Sequence, residues 1–288
     1  EKDLLLHSIL LELSKDKEFV NNFAFKGGTC LIKCYLGYYR FSEDLDFTYV
    51  NQNEWKNKTE STIRKTLSLK IYSLLMILKN ISDKYGLDFK ADKTNYHYVE
   101  YGGSNKFVTF KIWYDSVVLN QKTFIKIQVN FVEKLLYPLV EIKANSIIKE
   151  DLAKEMKYVS KEYAYLGEPA NIKSYSLNEI LIEKIRAIIT RNGIKARDFI
   201  DAYLIQKETK INLKTIEKEV VEKTLFMLKY EKYINNIKEK SKSLEEDFYL
   251  GKEEGLLLIP SPKDFSKFIE ENKLILKEII KKILKIYK

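Results

Sequence analysis

The chain has 288 residues, 45% hydrophobic and 32% charged, which fits a folded globular protein and excludes a disordered or fibrous one. Lys and Arg number 50 against 41 Asp and Glu, and the net charge of +9 suits a polyanionic partner, nucleic acid or nucleotide phosphate, as readily as a plain lysine-rich surface. No apolar run approaches a membrane span and no signal peptide is read, so a cytoplasmic protein with no membrane partner is expected.

Taken in chain order, apolar residues at helical spacing predict a helix from Asp3 to about Phe23. Lys26-Gly27-Gly28-Thr29 then forms a glycine turn into a short helix from Cys30 to about Gly37. Cys30 and Cys34 share one face of that helix. With poor geometry for a bond across one turn and no third ligand nearby, they read as small core residues in a reducing compartment. Asp44 to Val50 alternates polar and apolar and predicts a strand, followed by a long helix from about Asn53 to Tyr85 that ends at Gly86. Strands are expected at Asp88 to Ala91, Phe107 to Tyr114 and Thr123 to Val132, with a hairpin turn at Gly102-Gly103. A polar connection runs from Pro138 to Gly167-Glu168-Pro169, and helices are expected over Leu177 to Ile189, Ala196 to Lys207, Leu213 to Glu239 and Pro262 to Tyr287. The fold class is α+β: residues 1–165 form a small mixed β-sheet core flanked by helices, and residues 166–288 form a mainly helical C-terminal domain, with the boundary between 160 and 175.

Two features carry chemistry. Glycines before a helix let backbone N–H groups approach a phosphate, and Thr29 adds a hydroxyl. Asp44 and Asp46 are two apart on a strand, so both carboxylates leave the same face, about 7 Å apart at their Cα atoms. Flanked by Leu45 and Phe47, two like charges there call for compensation, either by one or two Mg²⁺ ions or by Arg40 as a structural ion pair. Other features read more plainly. The lysines of the last helix, from Asn272 to Lys288, form a solvated face around a packed stripe of Leu276, Ile279, Ile280 and Ile283. His7 and His97 read as helix surface and loop. Tyr96, Tyr98, Tyr101 and Trp113 cluster with lysines about the hairpin, as core and edge-strand residues or as a surface that stacks on single-stranded RNA.

Lys26-Gly27-Gly28-Thr29, Tyr35 and the run Arg40-Phe41-Ser42-Glu43-Asp44-Leu45-Asp46 together resemble the opening motif of the AbiEii/AbiGii toxin family, nucleotidyltransferases of the DNA polymerase β-like superfamily. A second stretch, Glu183-Lys184-Ile185-Arg186-Ala187 followed by Lys195-Ala196-Arg197-Asp198-Phe199-Ile200-Asp201, resembles the family's Lys-x-x-Ala and Arg-Asp-x-x-Asp helices. The resemblance implies transfer of a nucleoside monophosphate from an NTP, with Mg²⁺ or Mn²⁺ on Asp44 and Asp46. The nucleotide would bind at Lys26, Gly27, Gly28, Thr29, Arg40 and Ser42, with its phosphates against Gly28, Thr29 and Ser42, and Lys184 would act as a counter-charge. Asp198 would serve the acceptor hydroxyl, with Asp201 and Arg197 as secondary candidates. The helical domain would thus contribute Lys184 and Asp198 to the site. It further implies the toxin of a toxin–antitoxin pair, with a tRNA 3′ end as acceptor and a cognate antitoxin as partner. Without it, Lys184 reads as a surface lysine, and Asp198 with Asp201 as a surface paired to Lys195 and Arg197.

One position departs from the superfamily pattern. Where a later strand commonly carries a third carboxylate, Ile125-Lys126-Ile127-Gln128-Val129 presents Gln128, an amide that binds metal or hydrogen-bonds an acceptor but takes no proton. Gln128 motivates one alternative to the transferase, a catalytically weakened nucleotide- or RNA-binding module; a second keeps the site and changes the acceptor to a protein or small-molecule hydroxyl, which nothing in the sequence separates from RNA.

Overall fold

The computed structural model describes residues 1–103, 105–149, 151–152, 154–155, 165–244 and 255–287. They form two compact units, one of Glu1–Tyr38, Ser42–Glu133 and Leu139–Tyr175, the other of Tyr39–Phe41, Lys134–Pro138 and Ser176–Lys288. Residues 160–164, within the stretch expected to hold the boundary, and Lys288 of the last helix lie outside the described residues.

The first unit opens with α1 (Lys2–Lys15) and α2 (Lys17–Asn22). Asp16 splits the single helix expected there: its backbone is extended, and its carboxylate accepts the Phe19 N–H at 2.8 Å, capping α2. The chain then enters β1 (Phe23–Lys26), α3 (Gly27–Cys30) with a π-helical continuation over Leu31–Leu36, and β2 (Asp44–Tyr49). Cys30 is buried and Cys34 half-buried, both as free thiols. The long helix starts later than expected, as α4 (Glu60–Lys84), because Asn57 takes a left-handed conformation and Thr59 caps the helix by accepting from Thr62 N.

After α4 come β3 (Val99–Gly102), β4 (Phe107–Ser116), β5 (Gln121–Asn130), β6 (Leu139–Ala144) and β7 (Ala170–Tyr175). They complete a seven-stranded mixed sheet ordered β3-β4-β5-β2-β1-β7-β6, in which β2 runs parallel to β5 and β1 to β7. The α+β class is as the sequence indicates, and β3 and β4 form the expected hairpin. The strand expected at Asp88 to Ala91 is absent; Asp88 makes only an isolated bridge to Trp113. β6 falls where a polar connection was expected, and β7, for which no element was expected, follows directly after that connection. One face of the sheet is apolar: Leu45, Phe47, Val108, Phe110, Ile127 and Val129 are buried there, with Phe19 of α2 edge-on to Phe47 at 4.9 Å. His7 is part of this interior and not of a helix surface; it is fully buried, its Nε2 2.7 Å from the Glu168 carbonyl oxygen.

The second unit is helical: α5 (Leu177–Thr190), α6 (Ala196–Thr209), α7 (Glu217–Met227), α8 (Glu231–Ser243) and α9 (Phe265–Tyr287). The single helix expected over Leu213 to Glu239 is instead a 3₁₀ turn (Leu213–Ile216), α7 and α8, broken at Leu228–Tyr230. Leu276, Ile279, Ile280 and Ile283 of α9 are fully buried, so the stripe in the last helix is core. A fully buried ion pair, Glu179 with Lys223, joins α5 to α7. Glu179 also accepts from Leu136 N (3.0 Å) and Tyr137 N (2.8 Å), and Lys223 donates to the Lys134 carbonyl (3.0 Å), so residues 134–138 are fixed to the helices. Among the described residues no helix is long and apolar enough to cross a membrane.

Candidate active site

In the first unit the alternation of β2 sends Leu45 and Phe47 into the core and leaves Asp44 and Asp46 half-buried on the opposite face. Strand register then fixes their neighbours. Asp46 is opposite Lys26 on β1 and Gln128 on β5, Gln128 is opposite Thr109 on β4, and Asp44 is opposite Lys126. Gln128 thus lies in the row of Asp46, and its amide donates to Thr109 Oγ1 at 3.3 Å.

Gly27 sets the depth of this site. Its φ of +79° is open to glycine, and a Cβ placed there would fall 2.3 Å from Asp46 Oδ2 and 3.0 Å from Asp46 Cγ. The Asp46 carboxylate therefore rests directly over the Gly27 backbone, in a cradle that any side chain would fill. Thr29 is buried, with Oγ1 2.7 Å from Ser42 Oγ and donating to the Asp44 carbonyl oxygen, so the hydroxyls clip α3 to the start of β2. Lys26 Nζ lies 3.5 Å from Glu133 Oε2 and 5.5 Å from the Tyr175 ring centroid. Glu133 and Tyr175 carried no sequence signal, since strand pairing and distant loop closure bring them to Lys26.

A divalent cation fits this donor set. Two hard oxygen ligands leave one strand face, and the Gly27 cradle holds one of them in place. Among the described residues no group of three or more His, Cys, Asp and Glu has metal-binding geometry. Mg²⁺ bound by one or two carboxylates and completed by substrate phosphates is a usual arrangement.

The second unit holds a charged cluster. Asp201 of α6 is fully buried and accepts from Arg40 Nε and Nη2 (both 2.7 Å) and from Tyr39 Oη (2.6 Å), with Lys184 Nζ at 2.6 Å. Burial alone would raise the Asp201 carboxyl, but Lys184 and Arg40 outweigh it and hold it well below the usual carboxylate range. Arg40 therefore forks onto Asp201 through two guanidinium nitrogens. Its segment is pinned by backbone bonds, Phe41 N to Leu256 O (2.9 Å) and Leu258 N to Tyr39 O (2.8 Å).

Asp198, also buried, lies 3.3 Å from Lys184 Nζ and accepts from Arg191. Lys184 is thus buried between two carboxylates and is not a surface lysine, while Arg197 points outward as an exposed residue. Asp198 and Asp201 take Lys184, Arg191 and Arg40 as partners. Lys240 donates to the Gly193 carbonyl nearby; burial pushes its ammonium down to about 8, with Asp198 opposing the shift and Arg191 adding to it. Tyr39, Arg191 and Lys240 were not foreseen, because each reaches the cluster only through tertiary packing.

No curated protein sequence matches the chain. Among solved structures it is similar to JHP933 from Helicobacter pylori (16% identity, 99% of this chain and 93% of that one, TM-score 0.48). It is also similar to a candidate nucleotidyltransferase from H. pylori (17% identity, 98% and 94%, TM-score 0.42). The family model described as nucleotidyl transferase AbiEii toxin, type IV TA system, matches residues 9–272. The chain belongs to this family of type IV toxin–antitoxin nucleotidyltransferases.

Proposed function

We propose that this nucleotidyltransferase toxin moves a nucleoside monophosphate from an NTP onto the 3′ hydroxyl of an RNA, a tRNA end first among them, with Mg²⁺ or Mn²⁺ held by Asp44 and Asp46. The observation that carries this reading is the pair of carboxylates on one face of β2, one of them seated over Gly27. A cation held by Asp44 and Asp46 would supply neutralisation of triphosphate and leaving-group charge, as the acceptor oxygen bonds the α-phosphorus and pyrophosphate leaves.

The remaining work falls to side chains and backbone. Gly27 leaves room for the Asp46 carboxylate, and Thr29 with Ser42 fixes the entry to β2. Lys26, at the end of β1 opposite Asp46, adds positive charge to the same face. Gln128 orients by hydrogen bonding and accepts no proton, so the acceptor proton leaves by another group. Within the helical unit, Lys184 is paired with Asp198 and Asp201. Asp201, saturated by Arg40, Tyr39 and Lys184, holds the cluster together. Catalysis rests on positioning and charge neutralisation.

Incubation with each α-³²P-labelled NTP, total tRNA and lysate protein tests the acceptor. Label on RNA from the wild type and not from Asp44→Ala supports the proposal, and label on protein replaces RNA with a protein hydroxyl. The position of Gln128 opposite Asp46 favours one further reading, a weakened binding module, which predicts nucleotide bound and no label transferred.

A further inference from the structure

The sheet face that carries Asp44 and Asp46 changes from acidic to basic to aromatic toward the β4–β5 turn. Gln128, Lys126 and Phe124 of β5 share that face by strand parity, and Thr109, Lys111 and Trp113 of β4 stand opposite them in register. The Lys111 and Lys126 ammoniums each lie 5.6 Å from the Phe124 ring centroid. Phe124 lies 4.6 Å from Trp113, and Trp113 is stacked flat on His97, with centroids 4.3 Å apart and planes within 2°. The Trp113 Nε1–H donates to the His97 carbonyl at 3.1 Å, which locks the stack. His97 is exposed, as are Lys90, Lys93 and Tyr96 of the same loop. A parallel aromatic stack ending in an exposed ring has no core to fill.

We infer that this strip is the track for the 3′-terminal nucleotides of the RNA acceptor, with a base stacked on His97–Trp113 and phosphates on Lys126 and Lys111. The inference rests on the RNA-acceptor reading and adds where that RNA lies. From the row of Asp46 to the row of Phe124 is four residues of β5, about 13 Å, a span that a few nucleotides of an extended strand cover. Lys111 is held by Glu100, and Lys122 lies 2.6 Å from Asp88, so these lysines are positioned along the strip before any phosphate arrives. An aromatic stack capped by the exposed His97 ring and set beside lysines matches an unpaired base on a phosphate backbone, whereas a duplex hides its base faces.

The test uses the full chain with a fluorescent single-stranded RNA and the same sequence as a blunt duplex, read by fluorescence polarisation. His97→Ala and Lys126→Glu alter exposed or half-exposed side chains and are compared with wild type. Each variant is expected to weaken single-strand binding by about fivefold or more and to raise the KM for the acceptor, with the KM for NTP unchanged. If wild type and both variants bind and label RNA equally, the track lies elsewhere while the RNA-acceptor reading stands. If the duplex binds as tightly as the single strand and His97→Ala changes neither, base stacking is refuted. A wild type that neither binds nor labels RNA removes both the track and the acceptor reading.

Discussion

Replacing Gly27 with alanine places a methyl group where the Asp46 carboxylate now lies. Two separate effects follow, and a control residue separates them. The first is backbone strain: at φ +79° an L side chain costs about 1–2 kcal/mol, which for a domain of this size lowers the melting midpoint by about 2–8 °C. The second is contact. The new Cβ would fall 2.3 Å from Asp46 Oδ2, with Asp46 Cβ and Cγ both at 3.0 Å. Favourable heavy-atom contact begins near about 3.5 Å, so the carboxylate must retreat by about 1 Å, a displacement that costs roughly 100-fold in rate. Gly86, just after α4, has φ +64° and nothing within 4 Å of its would-be Cβ, so Gly86→Ala carries the strain without the contact. Initial rates of label transfer and thermal unfolding, measured on both variants, separate the terms. Similar melting losses are expected, with kcat/KM down about 100-fold in Gly27→Ala alone. A Gly27→Ala enzyme as active as Gly86→Ala would refute the idea that this cradle positions a catalytic carboxylate.

The charged cluster of the second unit makes a stability prediction. Asp201→Asn leaves Arg40 and Lys184 buried without their shared carboxylate and is expected to cost about 3–5 kcal/mol in urea unfolding; an undetectable loss would contradict the assigned role. The sign with pH follows from the depressed Asp201 carboxyl. Its contribution is complete above the unfolded value near about 3.9 and fades as pH falls below it. The stability gap between wild type and Asp201→Asn should therefore be full at neutral pH and narrow progressively in acid, and a gap that widens in acid would reverse the argument. Gln128→Glu restores a proton acceptor opposite Asp46, and with Mg²⁺ present the transfer rate should rise by about tenfold or more. An unchanged rate would show that proton removal does not limit the reaction.

Local pattern made some of this architecture legible and tertiary pairing hid the rest. The shared face of Asp44 and Asp46 follows from a two-residue period bracketed by the buried Leu45 and Phe47, and the Ile125-to-Phe131 alternation placed Gln128 on a sheet strand. β1 gave no such signal, because Phe23, Ala24 and Phe25 are buried on both faces and do not alternate. β6 and β7 escaped notice because the polar Glu141, Lys143, Asn171 and Lys173 interrupt short strands that only their pairing stabilises. The Arg40–Asp201 pair spans 161 residues, so the sequence near Arg40 offered the β2 aspartates as equally natural partners. Lys184 carried the pattern of an amphipathic helix, which does not distinguish a surface lysine from one buried between Asp198 and Asp201. His7 was unreadable for a similar reason: its partner is a backbone carbonyl 161 residues away.

The proposed function requires that the β2 carboxylates hold the metal that drives nucleotidyl transfer. Transfer of α-³²P label under saturating NTP, measured for wild type, Asp44→Ala and Asp46→Ala across a Mg²⁺ titration and with chelator, tests it most directly. Saturable Mg²⁺ dependence is expected for the wild type, with a loss of about 10³-fold or more in each variant at any Mg²⁺ concentration. Transfer that persists in chelator, or an Asp44→Ala protein that works at the wild-type rate, would contradict it.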